Sequence, residues 1–416
     1  MNKLHLIFTS LSALALAACG GSSGGSSDET GGGDGTGNGG SGGTGYDIVC
    51  AAKERSVNWD KLKTINVTNL SEYGLFDSQC DPTKNPSARG LAYDLSVPLF
   101  TDYATKYRFV FIPENEKATY VSGAGTETSG GKEIYIDDDT LNYPVGTVIT
   151  KTFSLPSDTA DRGFDKENLI ETRLLIRRDS GWIALPYVWN ADKTDAVLDF
   201  NGELYADQSL THKSETLYFD YGVPDPQKCK RCHQAEGKTA VIGPKVRYLN
   251  MDYDYGDAIE NQLTRWVSEG LLDGTSLPDL APANLPSVPQ FDDATDIAAI
   301  QPETLEAFAK GWLDINCAHC HNPVGDASNT NMHVEFTRDF AQKNEHGVCQ
   351  KPISFGGEGL DYIIKPGDAA KSIMVYRMGT RDGGDRMPPL GRDLVHDEGV
   401  ELVTRWVNSL SGTCTE

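Results

Sequence analysis

Two short stretches of this 416-residue chain carry the residue types best suited to chemistry: Cys229-Lys230-Arg231-Cys232-His233 and Cys317-Ala318-His319-Cys320-His321, each a CxxCH. Two thiols separated by two residues reach the two vinyl groups of one porphyrin, and the imidazole that follows is placed to ligate its iron. The spacing therefore implies two covalent haem c groups, with thioethers from Cys229, Cys232, Cys317 and Cys320 and proximal ligation by His233 and His321. Other uses of CxxC fit less well. A redox dithiol needs a βαβ setting and no following histidine, and four-cysteine zinc sites draw their pairs from closer together in sequence. With nine Cys and eight His in the chain, an accidental CxxCH is expected in roughly a few chains per thousand of this composition. Two such motifs make chance a poor explanation.

Electron transfer at useful potentials favours an iron with two protein ligands, and a thioether opposite His raises the potential. Arg386-Met387-Pro388-Pro389-Leu390-Gly391 reads as a stiff loop whose prolines restrict the backbone behind the sulfur. Met387 is therefore the expected distal ligand of the haem on His321, and Met374 and Met378 read as packing. Met251 stands before Trp266 much as Met387 stands before Trp406, which makes it the candidate distal ligand of the first haem. An open iron, or Met332 or His333 reaching over from the second unit, is the competing reading. His212 reads as a surface residue.

The elements that must position these groups fall into three regions after a leader. Residues 1–18 have the short apolar run and small-residue end of a cleaved export signal, too short to span a bilayer. Leu16-Ala17-Ala18-Cys19 resembles the lipobox of bacterial lipoproteins, which implies lipidation at Cys19; Gly20 rather than Asp resembles outer-membrane sorting. Residues 19–45 are nearly all Gly, Ser, Thr, Asp and Asn, a composition that cannot bury enough apolar surface to fold and so makes a tether. Residues 46–223 hold short runs rich in β-branched and aromatic residues, such as Tyr107 to Ile112, Thr147 to Phe153, Arg173 to Arg178, Trp182 to Trp189, Ala196 to Phe200 and Thr216 to Tyr221. Gly, Pro, Asp and Asn punctuate them, so the region is expected to form an antiparallel β-sandwich.

Residues 224–290 are expected to form a first, mainly α haem unit with a helix from about Asp257 to Ser268, and residues 291–416 a second. The second opens with Pro302 at a helix start and closes with a helix from about Asp397 to Leu410. Leu263-Thr264-Arg265-Trp266-Val267 is echoed by Val403-Thr404-Arg405-Trp406-Val407, each downstream of a CxxCH, which points to duplication. Cys50, Cys80, Cys349 and Cys414 remain, an even number suited to an oxidising compartment. Of three pairings, Cys50 with Cys80 and Cys349 with Cys414 keep each bridge inside one region. The net charge of −23 argues against nucleic acid and against docking on anionic lipid.

Several stretches beyond the haem motifs carry a family likeness: Phe100-Thr101-Asp102-Tyr103-Ala104-Thr105-Lys106-Tyr107-Arg108, Pro144-Val145-Gly146-Thr147, Glu171-Thr172-Arg173-Leu174-Leu175, Leu185-Pro186-Tyr187-Val188-Trp189-Asn190, Gly243-Pro244-Lys245-Val246-Arg247-Tyr248-Leu249-Asn250, Asn261-Gln262-Leu263 and Asn316-Cys317-Ala318-His319-Cys320-His321-Asn322-Pro323. With both haem motifs, these resemble the Shewanella-type family of bacterial di-haem c-type cytochrome lipoproteins, over nearly everything after the tether. The resemblance implies electron transfer in the periplasm or at the outer membrane, and a separately encoded parallel β-helix protein as a partner. The expectation is thus an electron carrier, anchored by lipid alone and serving redox partner proteins. The competing readings are a peroxidase-like or small-substrate haem enzyme with an open first haem, and a β domain that binds a ligand or partner.

Overall fold

The computed structural model describes residues 56–416 apart from 77–80, 85, 88, 123–124, 130–131, 137–138, 236–237, 331, 339–344, 354–358 and 416. The export segment, the tether, Cys19, Cys50 and Cys80 lie outside the described residues. Helix α1 (Trp59–Thr64) opens the described chain, capped by the Asn58 carboxamide oxygen, which accepts from Lys61 N at 3.0 Å. The strands follow: β1 Gly90–Ala92, β2 Thr105–Phe111, β3 Thr119–Val121, β4 Gly125–Ser129, β5 Lys132–Ile136, β6 Thr140–Asn142, β7 Val148–Pro156, β8 Glu167–Arg178, β9 Gly181–Trp189, β10 Ala196–Leu198, β11 Glu203–His212 and β12 Glu215–Val223. Six of them make one antiparallel sheet in the order β1-β2-β7-β8-β9-β10. β11 and β12 form a separate two-stranded ribbon, and β3–β6 and β4–β5 are small hairpins on the long β2–β7 connection.

The sheet is buried on both faces. One face sends Phe109, Phe111, Val148, Leu174, Ile176 and Tyr187 against Leu62, Leu70 and Tyr73 of the preceding segment. The other sends Val110, Ile149 and Leu175 into a larger cluster built mainly from the C-terminal half, including Tyr248, Trp266, Trp312 and Trp406. Where a two-sheet sandwich was expected, the six-stranded sheet is covered mostly by helical and irregular segments, and the only β layer on it among the described residues is the β11–β12 ribbon, whose Leu210, Phe219 and Tyr221 pack on Phe153 and Ile170. Burial on both sides also explains why β7 shows no alternation of buried and exposed residues, with even Thr150, Thr152 and Ser154 buried.

The C-terminal half adds α2 (Pro226–Cys232), the hairpins β13 (Gln234–Ala235) with β14 (Lys238–Thr239) and β15 (Asp252–Asp254) with β16 (Ile259–Asn261), and helices α3 (Val246–Leu249), α4 (Gln262–Ser268), α5 (Pro302–Leu313), α6 (Ile373–Gly379) and α7 (Asp397–Ser409). The helix expected from Asp257 starts only at Gln262. Ile259 pairs with Asp254 instead and is 72% exposed, and the Asn261 side chain caps α4 by accepting from Leu263 N at 3.0 Å. Around the first motif the helices are short. The longer α5 and α7, amphipathic as expected, both belong to the second region. The sequence echo is structural as well: Trp266 on α4 and Trp406 on α7 are both fully buried in the same cluster.

A buried ion pair ties the two motif-bearing regions together. Arg247 on α3 and Asp314, three residues before Cys317, are both wholly inaccessible, with Nη2 to Oδ2 at 2.9 Å. Phe336 N donates to the other Asp314 oxygen at 3.0 Å, and the Tyr248 hydroxyl also bonds to Asp314. The cations Arg247 and Lys245 hold the Asp314 carboxyl far below the usual carboxylate range despite its burial.

Candidate functional site

The first motif is wound onto the end of a short capped helix of about two turns. The Asp225 carboxylate accepts from Gln227 N and Lys228 N, both at 2.9 Å, and Pro226 occupies the first helical position, where its missing N–H costs nothing. Cys229 and Cys232 are therefore three residues apart on one face of α2. His233 caps the helix, its N–H donating to Cys229 O at 2.9 Å. Its Nδ1 lies 3.0 Å from Ala240 O. A carbonyl only accepts, so Nδ1 carries the proton and Nε2 keeps its lone pair. Burial, reinforced by the Lys151 charge, pushes the imidazole down to about 3, so the ring is held neutral.

The second motif grows out of α5, which passes at Asp314–Ala318 into a π-helical turn carrying Cys317. Cys320 N and His321 N both donate to Cys317 O, at 3.1 and 2.9 Å. His321 Nδ1 lies 3.2 Å from the Thr330 hydroxyl oxygen, whose own proton goes to Ala327 O at 2.7 Å. The hydroxyl must then accept from Nδ1–H, and His321 takes the same tautomer as His233. Burial pushes this imidazole down to about 4. Holding one ring nitrogen by a hydrogen bond so that the other is aimed outward is how ligating histidines are oriented.

A cavity of about 1240 Å³, counting its open mouth, brings the two motifs together: Cys229, Cys232 and His233 line it from one side, Asn316 and His319 from the other. Pro388, Leu390 and Gly391 of the Met387 loop also line it. At its edge the Cys232 and Cys320 sulfurs and a His319 ring nitrogen all lie within 4.8 Å of one another, although Cys317 and Cys320 do not line the cavity. A hydrogen bond shared with Cys320, and then one with His319, pulls the Cys232 thiol down against the effect of burial, and drives Cys320 upward. Burial pushes Cys317 up to about 12.

The remaining wall is the six-stranded sheet. Arg108 on β2 pairs in register with Lys151 on β7, and Lys151 with Arg173 on β8, so three cations stand side by side across the strands and line the cavity. Sequence reasoning passes over this belt. Its visible trace is a single cation inside each of three otherwise apolar runs, and only the register shows that the three coincide.

Met387 lines a separate small cavity of about 290 Å³ with Trp312, Asn316, Met378 and His396, and His321 lines neither cavity. Met387 is fixed through its backbone, N donating to Arg377 O at 2.8 Å and O accepting from Arg392 Nη2 at 2.8 Å, with a cis bond to Pro388. Met251 lines a third cavity, with Asp94, Arg162, Asp293 and His396, and is not among the residues around His233. Met374 and Met378 are buried on α6, as packing requires. His212, read from sequence as a surface residue, is buried: its Nε2 meets Glu398 Oε1 at 2.9 Å and its ring stacks on Tyr103 at 4.0 Å. Cys349 and Cys414 form the expected disulfide. Among the described residues no helix is long and apolar enough to cross a membrane.

An antiparallel sheet shares one core with a C-terminal half of mostly short helices and irregular segments, in which the two cytochrome c-like helical units expected from the sequence do not stand out, and the first CxxCH segment and His319 of the second line one cavity. No family model, curated protein or solved structure matches the chain.

Proposed function

We propose that the chain is a di-haem c-type cytochrome that carries electrons, exported and held by lipid at Cys19 in the periplasm or at the outer membrane. The reading is carried by one observation: each CxxCH histidine has Nδ1 engaged as a donor, leaving Nε2 of a buried neutral ring for iron. The residues fit the group. Cys229 and Cys232 would hold one haem, Cys317 and Cys320 the other, with His233 and His321 as proximal ligands. Bound haem supplies a one-electron iron couple; the chain supplies the tautomers, the apolar cover and the placement. The Cys232–Cys320 proximity sets the two attachment points side by side, which suits exchange between two carriers. On this reading residues 224–290 and 291–416 each serve one haem, and residues 46–223 provide a shared wall. Acidic and tethered, the chain suits a basic redox partner, and the family likeness suggests a separately encoded parallel β-helix protein as a further partner.

A second reading is favoured by the lining of the first cavity, in which no methionine stands with His233. An iron without a second protein ligand there would make the first haem a site for peroxide or a small substrate, fed by the second. Spectroscopy separates the two. In the carrier both oxidised haems are low-spin and indifferent to cyanide, and Met387→Ala turns one of them high-spin. A cyanide-sensitive high-spin signal in the wild type favours the enzyme, and an unchanged spectrum in Met387→Ala rejects Met387 as a ligand.

A further inference from the structure

The cation belt is expensive as it stands. Like charges directly opposite one another on neighbouring strands destabilise a sheet, and here three meet on a face that also buries Val110, Ile149 and Leu175. Two of them are compensated. Arg173 spends Nε and Nη2 on Glu171, at 2.8 and 2.6 Å, and the Tyr221 hydroxyl donates to the same wholly buried carboxylate at 2.8 Å. Arg108 uses Nη1 on Asp94 and on Lys106 O. Lys151, between them, makes no side-chain hydrogen bond or ion pair among the described residues; its ammonium rests over the Phe153 ring at 5.2 Å. The donors left over are Nε and Nη2 of Arg108, Nη1 of Arg173 and the Lys151 amine, in a cavity that Lys228 also lines.

We propose that Arg108, Lys151 and Arg173 form an anion seat in the first-motif cavity, taking the oxygens of a carboxylate or small oxyanion. Planar guanidinium forks flanking a point-charge ammonium suit such oxygens. Two sources carry this chemistry: the propionate carboxylates of a haem held by Cys229 and Cys232, or a free oxyanion such as sulfite or phosphate. The first source rests on the function proposed above and the second does not.

The test uses the purified holoprotein with Lys151→Met and Lys151→Arg, and with Lys151→Gln should the methionine variant fold poorly. Haem content is counted first, so that loss of the haem reading is seen by itself; should haem be absent, calorimetric titration with inorganic phosphate still decides the seat. If propionates occupy it, a propionate bending band in the resonance Raman spectrum moves in Lys151→Met and stays in Lys151→Arg. If a free oxyanion occupies it, sulfite gives a saturable Soret shift in the wild type that weakens at least tenfold in Lys151→Met and survives in Lys151→Arg. Identical Raman bands together with identical anion titrations in wild type and Lys151→Met overturn the proposal, as does a phosphate titration without heat in haem-free protein.

Discussion

The two CxxCH segments meet at the edge of one cavity, the second through His319 alone, and they come to it from opposite kinds of scaffold. The first sits on a capped helix of about two turns, followed by a hairpin of two-residue strands and short helices, and it faces a charged sheet. The second is the continuation of a twelve-residue helix, buttressed by α7 and, farther along, by a disulfide. One motif is thus held by a wall it does not itself build, while the other is held by its own neighbours. A CxxCH needs only a local turn to present its sulfurs and imidazole; what surrounds it is free to differ and sets what the iron can do.

The largest effect is expected where the two regions are joined. Asp314→Ala takes from the buried Arg247 guanidinium the carboxylate it meets in the core, and should cost about 3–5 kcal/mol in denaturant unfolding. The double variant Arg247→Met/Asp314→Leu should recover much of that loss, because an apolar pair of similar volume needs no desolvated charge. Should Asp314→Ala prove harmless, the two segments are not coupled through this pair.

Next comes a feature of the second region alone. Cys349→Ser/Cys414→Ser opens a loop of 65 residues and should cost about 2–4 kcal/mol. The thermal midpoint should fall and the haem count should stay at two; loss of the first haem as well would mean that the two scaffolds are less separate than described.

A smaller effect, of opposite sign, marks the seam between sheet and Met387 loop. Asp102 Oδ1 accepts from Asp393 N and Leu394 N, both at 2.7 Å, and burial pushes its carboxyl up to about 6. A carboxyl raised in the folded state binds its proton more tightly there, so stability falls as pH climbs from about 4 through 6. Asp102→Asn keeps an acceptor and removes the charge. It should match the wild type near pH 4 and exceed it by on the order of 2–3 kcal/mol at pH 7, from the size of the shift; a gain confined to low pH would reverse the argument.

What the sequence disclosed follows the same division. The CxxCH segments are legible because covalent chemistry dictates their spacing, and α5 and α7 because a buried face repeating every 3.6 residues is hard to produce otherwise. The strands expected from β-branched runs appear within a few residues of their places, although β11, with exposed Leu204 and an interrupted register, gave no such run. The helix expected from Asp257 starts late because Ile259, whose spacing to Leu263 and Trp266 imitates a helical face, belongs to a hairpin and faces solvent. Contacts distant in sequence were out of reach: the register of Arg108, Lys151 and Arg173, the pairing of Arg247 with Asp314, and the burial of His212 against Glu398 all depend on which segments meet. Met251 lines a different cavity from the first motif, a placement that depends on which segments meet and not on its distance before a tryptophan.

Haem and metal content, measured together on protein from a host competent in cytochrome maturation, tests the central claim most directly. The account predicts two pyridine-haemochrome equivalents per chain in the wild type, and one in each of Cys229→Ala/Cys232→Ala and Cys317→Ala/Cys320→Ala. Colourless protein holding one zinc ion, lost on changing Cys232, His319 or Cys320, would contradict it.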